Sequence, residues 1–524
     1  MQSHREEPKT IDHRSVESVW LLILAVTSVQ LCLFWAVSRF RFIDGDEAFY
    51  LIAAQQVVDG HVLYRDFFFP QMPFLPLVYG AWAWLVGDGW FAGRLLSCIF
   101  AALTGTLLFE HLRRSIGSIS WALLGALLYA SSGLTLGWHT TVKTLALSTF
   151  LLTCSWVLLE QARSHRGYWL SGLFLGLTIS TRLLIAGVAP ILAFVAWRRA
   201  AEDDDKFAKG SAWLLGVIVG LIPSIALLLT DTDAFIYNNL LYHADRSGAG
   251  PIANWHQKLD VLMQLFALGR IQYLGILQPA LLWIVILVAA VRARSGFKLI
   301  PSSFLILVAV VAVSLLPTPT WYQYFAVLTP FLADSAVRAL RSLPTTGWAR
   351  SIFVVGGVGY LALSGLEVDR ITRTGKSLPM VGGSEPLSMW RIEEVQKVTE
   401  ALDRVTQEGE VVLTWWPGYF VGGHASPVPG LENHFALLAS PEMSFEQRRT
   451  YHIVNPAEAS SLIETRQVRS VLLGVFVHNE RLAQRLLTHG YEKILEIPKA
   501  GVELWQAESI PGPSKSPPRE AGRL

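Results

Sequence analysis

Three carboxylates, Asp44, Asp46 and Glu47, fall within the stretch Phe42-Ile43-Asp44-Gly45-Asp46-Glu47-Ala48-Phe49-Tyr50. A positioned carboxylate can take the proton of a hydroxyl, which is the work of a general base. Acidic residues at a helix start also satisfy free backbone N–H groups, so helix capping by Asp46 is the plain alternative. Lys143, Arg182 and Tyr324 are suited instead to an anionic phosphate. Lys143 and Arg182 both fall in apolar stretches, where an ionised residue at the centre of a spanning helix costs about 2.5–3.5 kcal/mol. Lys143 lies near the end of its stretch, so its ammonium can reach the interface. Arg182 is deeper, at Ser180-Thr181-Arg182, where the sequence predicts a helix break. Broken helices at membrane depth are tolerated where they line a cavity in protein. Pairing with a buried carboxylate or carbonyl is the other reading of Arg182. Trp321-Tyr322-Gln323-Tyr324-Phe325 reads either as an aromatic membrane anchor or as a hydrogen-bonding contact to a phosphate or sugar. His243 and Asp245 share one loop, where a solvated histidine is the ordinary case. With Asp44 they form the candidate acceptor or metal contacts, and a divalent ion stays open because such ligands suit many ions.

The elements that must position these groups are mostly apolar. The chain has 524 residues, of which 52% are hydrophobic and 16% charged, against about 25% charged in an ordinary soluble domain. Long apolar runs recur from position 19 to about 366, as expected of spanning segments. The first of them, 19–37, follows a segment of mixed charge rather than a clean basic one, so it reads as a retained span and not a signal peptide. Cys32, Cys98 and Cys154 lie inside apolar runs and imply no disulfide framework. Gly356-Gly357-Val358-Gly359 lies in an apolar run and reads as a site of close helix packing.

These features predict a polytopic α-helical membrane protein of about eleven spans with a C-terminal extracytoplasmic α/β domain. The expected organisation is a cytoplasmic N-terminus at 1–17, a transmembrane domain at 18–366, an α/β domain at 367–507 and a disordered tail at 508–524. The first outer loop, 39–90, carries the acidic motif and a short aromatic-rich interfacial helix near 75–86. Lysine and arginine concentrate in alternate short loops. By the positive-inside rule this places the N-terminus in the cytoplasm, and the acidic loop, the His243 loop and the C-terminal domain outside. In the C-terminal part, 390–407 has helical periodicity, and 411–415, 471–477 and 502–505 read as strands, with a helix at 481–487.

Outer-face carboxylates beside membrane-boundary cations suit transfer from a lipid-phosphate donor to an acceptor hydroxyl. The chain resembles the lipid-linked-sugar glycosyltransferases that include the protein O-mannosyltransferases and the lipid A aminoarabinose transferases. The resemblance covers roughly 20–340. Its most specific piece is Asp46-Glu47-Ala48-Phe49-Tyr50, followed by Pro70-Gln71-Met72-Pro73-Phe74-Leu75-Pro76-Leu77 and by Arg94-Leu95. Ser180-Thr181-Arg182 and Tyr322-Gln323-Tyr324-Phe325 with Pro330 add to it. The resemblance implies the GT-C fold and an inverting transfer from a polyprenyl-phosphate sugar. Asp46 would be the base with Glu47 beside it, and Arg182 and Tyr324 would contact the donor phosphate. One departure is that Lys143, in His139-Thr140-Thr141-Val142-Lys143-Thr144, stands near a place where the family often has an acidic residue. The partners implied are the donor lipid, membrane lipids and a glycan, lipid or protein acceptor. No nucleic acid is expected, and beside the donor sugar lipid a divalent metal stays open. The alternative of another class is a transporter or flippase of a lipid-linked sugar, which would use the cations but no base. A non-catalytic scaffold presenting the C-terminal domain would not need Arg182 at membrane depth.

Overall fold

The computed structural model describes residues 13–201, 205–246, 254–266, 268, 277–292, 300–343, 347–379, 381, 386–438, 443–477 and 480–507. The tail at 508–524 and residues 1–12 of the N-terminal segment lie outside the described residues. The chain opens with α1 (His13–Phe40), then α2 (Glu47–Val58), α3 (Phe74–Val86), α4 (Trp90–Ile116), α5 (Ile119–Ala130), α6 (Gly133–Trp138), α7 (Thr144–Gln161) and α8 (His165–Thr181). A 3-10 turn, Leu183–Val188, links α8 to α9 (Ala189–Ala200), which is followed by α10 (Lys206–Gly220). α3 is short and carries exposed Trp84 and Leu85, as an interfacial helix would.

Four described helices are long and apolar enough to cross a membrane, or five if the bent pair Lys206–Gly220 and Ile222–Thr230 counts as one span. Other apolar helices, such as Ile119–Ala130 and Ser302–Ser314, are shorter. Breaks inside the apolar region are satisfied by buried polar side chains. Gln278 accepts from the Gly133 N–H at 2.5 Å and donates to the Ser131 carbonyl at 3.1 Å, closing the gap between α5 and α6. This is how irregular backbone is tolerated away from water. The break predicted at Arg182 is present: α8 ends at Thr181, and Arg182 is extended at φ −152° and ψ 104°.

The closest helix packing is between α8 and α10. A Cβ on Gly172 or Gly176 would sit 1.9 or 2.3 Å from the carbonyl oxygens of Trp213 and Val217. Gly216 and Gly220 face α8 just as closely. Each helix thus presents two glycines four residues apart, which lets the backbones touch. The expectation placed on Gly356, Gly357 and Gly359 is not met, because a Cβ on any of them would meet nothing within 4 Å. Their helix, Trp348–Asp369, turns that face outward.

Residues 411–507 hold a five-stranded sheet of β1 (Val411–Leu413), β2 (Ser426–Pro427), β3 (Ser470–Leu473), β4 (Tyr491–Ile497) and β5 (Val502–Ala507). Its order is β2-β1-β3-β5-β4; β1 is parallel to β2 and β3, and β5 is antiparallel to β3 and β4. Side chains alternate across the sheet as the strand pleat requires. Leu472, Val502 and Leu504 join the helix Ile392–Val405 in a core continuous with that of the spanning helices. Val471, Leu473 and Trp505 face the other way, onto the helices Pro456–Glu464 and Glu480–Thr488.

The sheet unit and the residues leading into it are fastened to the end of α1 and the first loop by main-chain and side-chain bonds. Ile43 N donates to the Trp390 carbonyl at 2.8 Å, and Phe42 N to the Ile371 carbonyl at 3.1 Å. Trp416 Nε1 donates to the Gly45 carbonyl at 3.0 Å. Arg391 donates to the Phe40 and Thr372 carbonyls, both at 2.6 Å, and its guanidinium lies 3.9 Å from the centre of the Phe42 ring. The loop carrying the acidic motif is therefore held from both sides.

Candidate active site

Asp44, Asp46 and Glu47 meet three different fates. Glu47 opens α2 and is fully buried. Its two oxygens receive a bidentate pair from Arg94 on α4, both bonds at 2.7 Å, and Oε1 also accepts from Val142 N at 3.1 Å. Burial pushes its carboxyl up, but the Arg94 guanidinium outweighs this and holds it below the usual range. Arg94 has its other protons on the carbonyls of Ser38, Arg41 and Phe42. Glu47 is expected beside Asp46 as a catalytic carboxylate, and here both its oxygens are held by Arg94 and the Val142 N–H. It is committed to an ion pair that fixes the loop to α4, and a broken buried pair costs about 3–5 kcal/mol.

Asp44 is also buried, and its Oδ1 accepts from Asp46 N at 3.1 Å. Burial pushes its carboxyl above the ordinary value, against the pull of Lys143. Burial is the largest cause, the Asp46 charge adds to it, and Lys143 and Arg41 oppose it.

Lys143 precedes α7, with its Nζ 2.6 Å from Asp44 Oδ1 and 3.0 Å from Asp46 Oδ2. It also donates to Gln323 Oε1 at 3.1 Å. An ammonium has three protons, and here each has an acceptor. The ammonium proposed from sequence as a phosphate contact is thus held by two carboxylates and an amide oxygen.

Asp46 is the half-open member. It stands at the N-cap of α2 with helical dihedrals, and its side chain makes no capping bond. The capping alternative is therefore not the one realised. Its side chain keeps 21% of its exposure, against 3% for Asp44 and none for Glu47. Besides Lys143 it faces His434 Nε2, 3.8 Å from Oδ1.

On the other side lies Tyr50, one turn along α2. Burial pushes its phenol well above the ordinary value, Asp46 adds to this, and Arg182 opposes it. Arg182 donates to Thr144 Oγ1 at 3.1 Å, and its guanidinium lies 4.9 Å from the centre of the Tyr324 ring. Among the described residues no carboxylate lies within ion-pair distance of Arg182, so it is not explained as half of a buried pair. Tyr324 belongs to the 3-10 segment Tyr322–Leu328, which also supplies Gln323. The late aromatic stretch thus meets the two cations through neighbouring residues, Gln323 at Lys143 and Tyr324 at Arg182.

His243 donates from Nε2 to the Pro70 carbonyl at 2.9 Å, beside Tyr242 and on the same helix, Tyr242–Arg246, as Asp245. Among the described residues no group of three or more His, Cys, Asp or Glu side chains could hold a metal ion.

Three contributors were not singled out from sequence. Arg94 was noted only as the opening of a span. Tyr50 was quoted as part of the motif but given no role. His434 directly follows Pro429-Gly430-Leu431-Glu432-Asn433, a turn-rich piece with no chemical signature of its own.

Comparison with known proteins bears on the fold that carries this site. Residues 70–229 match the family model of dolichyl-phosphate-mannose-protein mannosyltransferases. The undecaprenyl phosphate-alpha-4-amino-4-deoxy-L-arabinose arabinosyl transferase of Edwardsiella ictaluri is 28% identical over 207 residues. That alignment covers 38% of this chain and spans only 37% of the length of the relative. The crystal structure of ArnT from Cupriavidus metallidurans bound to undecaprenyl phosphate superposes with a TM-score of 0.66 at 10% identity, over 92% of this chain and 97% of that one. The apo form of the same protein gives 0.63 at 11% identity, over 94% and 98%. The fold is therefore that of ArnT, and with its apolar helices it makes the chain a membrane protein. The chain resembles the polyprenyl-phosphate-sugar-dependent membrane glycosyltransferases, and nothing in these matches favours a transporter.

Proposed function

We propose that this chain is an integral membrane glycosyltransferase that moves a sugar from a polyprenyl-phosphate donor to an acceptor hydroxyl on the extracytoplasmic face. The observation that carries the reading is Asp46. It is the one carboxylate of the motif left partly open, and the Tyr50 phenol feels both its charge and that of Arg182.

In this reading Asp46 takes the proton of the acceptor hydroxyl as general base. The freed oxygen attacks the anomeric carbon from the face opposite the phosphate. The bond from that carbon to the phosphate oxygen breaks, and the electron pair leaves with the polyprenyl phosphate. The configuration inverts, and the proton stays on Asp46 until it is lost to water. Arg182 stabilises the charge that grows on the departing phosphate, as a fixed cation does best in a site shielded from water. The Tyr324 ring supports the guanidinium from below, and Lys143 keeps Asp44 and Asp46 together without touching the donor.

The arrangement in the membrane belongs to the same proposal. About eleven spans with a cytoplasmic N-terminus place the acidic loop, the Tyr242–Arg246 helix and the sheet unit outside. A glycan, a lipid or a protein hydroxyl is a suitable acceptor.

The test is transfer itself. Membranes containing the protein are given a panel of radiolabelled polyprenyl-phosphate sugars, and label is followed into glycan, lipid and protein fractions. Label leaving the donor lipid for an acceptor supports the reading. Movement of intact donor across vesicles, with no label transferred, would support transport instead.

A further inference from the structure

The C-terminal unit does more than cover the first loop: it brings an imidazole to the proposed base. His434 begins a 3-10 turn, His434–Leu438, between β2 and β3. Its side chain is only 5% exposed, and Nε2 lies 3.8 Å from Asp46 Oδ1. Three aromatic rings hold it: Phe49 on α2 at 6.0 Å, neighbouring Phe435 at 4.3 Å and Phe476 at 5.1 Å.

Phe476 is itself in an unusual conformation. It follows β3 with φ +69°, in the left-handed region. A bulky residue there costs on the order of 1–3 kcal/mol and persists only where its surroundings demand it. Here the turn is clamped, because Val475 N donates to the Tyr419 hydroxyl at 3.0 Å and Phe476 packs on Trp390. On the other side of His434, the Glu432 carboxylate accepts from Gly430 N at 2.8 Å and fixes the preceding turn. A strained residue and a closed turn thus converge on one imidazole, and that imidazole faces Asp46.

We propose that His434 is a positioning residue of the transferase site, which holds Asp46 ionised and aimed at the acceptor only while the C-terminal unit is docked on the first loop. The inference rests on the reading of Asp46 as base. Asp46 has other charged neighbours too: Asp44 and Lys143 at the motif, and Tyr50 on α2, whose phenol also feels Arg182 and Tyr324. Of these, His434 alone comes from the C-terminal unit. Lys143 is shared with Asp44, whereas His434 approaches the other oxygen, Oδ1. An imidazole N–H or imidazolium beside a carboxylate favours its charged form. Its loss leaves a base that ionises at higher pH and is less well aimed.

The test uses the full chain in nanodiscs, with whichever radiolabelled polyprenyl-phosphate sugar the wild type turns over. His434→Ala is expected to lower kcat by about 10- to 100-fold, the range for a displaced catalytic group. The acidic limb of the kcat/KM profile should move to higher pH, while affinity for polyprenyl phosphate stays at the wild-type value. His434→Gln keeps an N–H donor and should recover part of both the rate and the limb. If the acidic limb stays in place in both variants, or if the loss tracks donor affinity, His434 is only packing and the inference falls. Asp46→Asn run alongside separates the two claims. Wild-type transfer by that variant removes the base reading itself. An inactive Asp46→Asn beside fully active His434 variants removes this inference alone.

Discussion

The Lys143 ammonium lies 3.0 Å from Asp46 Oδ2 and bridges that carboxylate to Asp44, 2.6 Å away on its other side. Removing the ammonium leaves two adjacent carboxylates uncompensated in a largely dry place. Lys143→Met should therefore cost about 3–5 kcal/mol and abolish transfer. Adding Asp44→Asn removes one of the two charges and should return much of the folded yield. Melting midpoints of the single and double variants check this, and a double variant no more stable than Lys143→Met would refute the charge argument.

Glu47 and Arg94 test the separation of scaffold from chemistry. Glu47→Gln and Arg94→Met each leave one buried charge without its partner, and each should lower stability by about 3–5 kcal/mol. Asp46→Asn, at a half-open carboxylate, should change it by far less. Thermal melting in one detergent compares all three. Equal midpoints for Glu47→Gln and wild type would return Glu47 to the list of candidate bases.

For the donor, Arg182 carries the prediction. Its loss in Arg182→Ala should weaken binding of polyprenyl phosphate by about 10- to 100-fold, since hydrogen bonds to charged groups contribute about 1.5–3 kcal/mol. Lysine lacks the planar fork and should rescue only part. Tyr324→Phe keeps the ring beneath the guanidinium and should bind nearly as wild type. Binding is measured by displacement of a labelled lipid phosphate. Full affinity in Arg182→Ala would remove it from the donor site.

Much of this was legible in the sequence, for reasons that differ by residue. The helix after the acidic motif, Glu47–Val58, ends at Asp59-Gly60, a stop that the sequence itself displays. The break at Arg182 announced itself because an arginine in an apolar run needs a reason. Strand β4 was not foreseen: Tyr491–Ile497 carries Glu492, Lys493 and Glu496, charges that suit a sheet edge and hide its periodicity. The separate fates of Asp44, Asp46 and Glu47 were beyond local pattern. They depend on Arg94, Lys143 and His434, which come from distant elements.

Glu432 supplies a pH prediction outside the membrane. Burial pushes its carboxyl from the ordinary 4.5 up to about 7. Between those values the folded chain keeps a proton that the unfolded chain has released. Its contribution to stability is therefore present below about pH 4.5 and is lost as pH rises through about 7. Glu432→Gln ends the titration and still offers an oxygen to Gly430 N. The variant should be more stable than wild type near pH 8, by on the order of 1–3 kcal/mol, and the gap should close under acid conditions. Melting curves across pH decide it; a gap independent of pH would contradict the assignment.

The central claim is that Asp46 is the base, and sugar transfer by wild type and Asp46→Asn measures it most directly. Both proteins are assayed in membranes with the same radiolabelled polyprenyl-phosphate sugars, with melting and lipid-phosphate binding as controls. The account predicts a folded variant that binds the lipid phosphate and transfers no sugar. Equal transfer by the two proteins would contradict it.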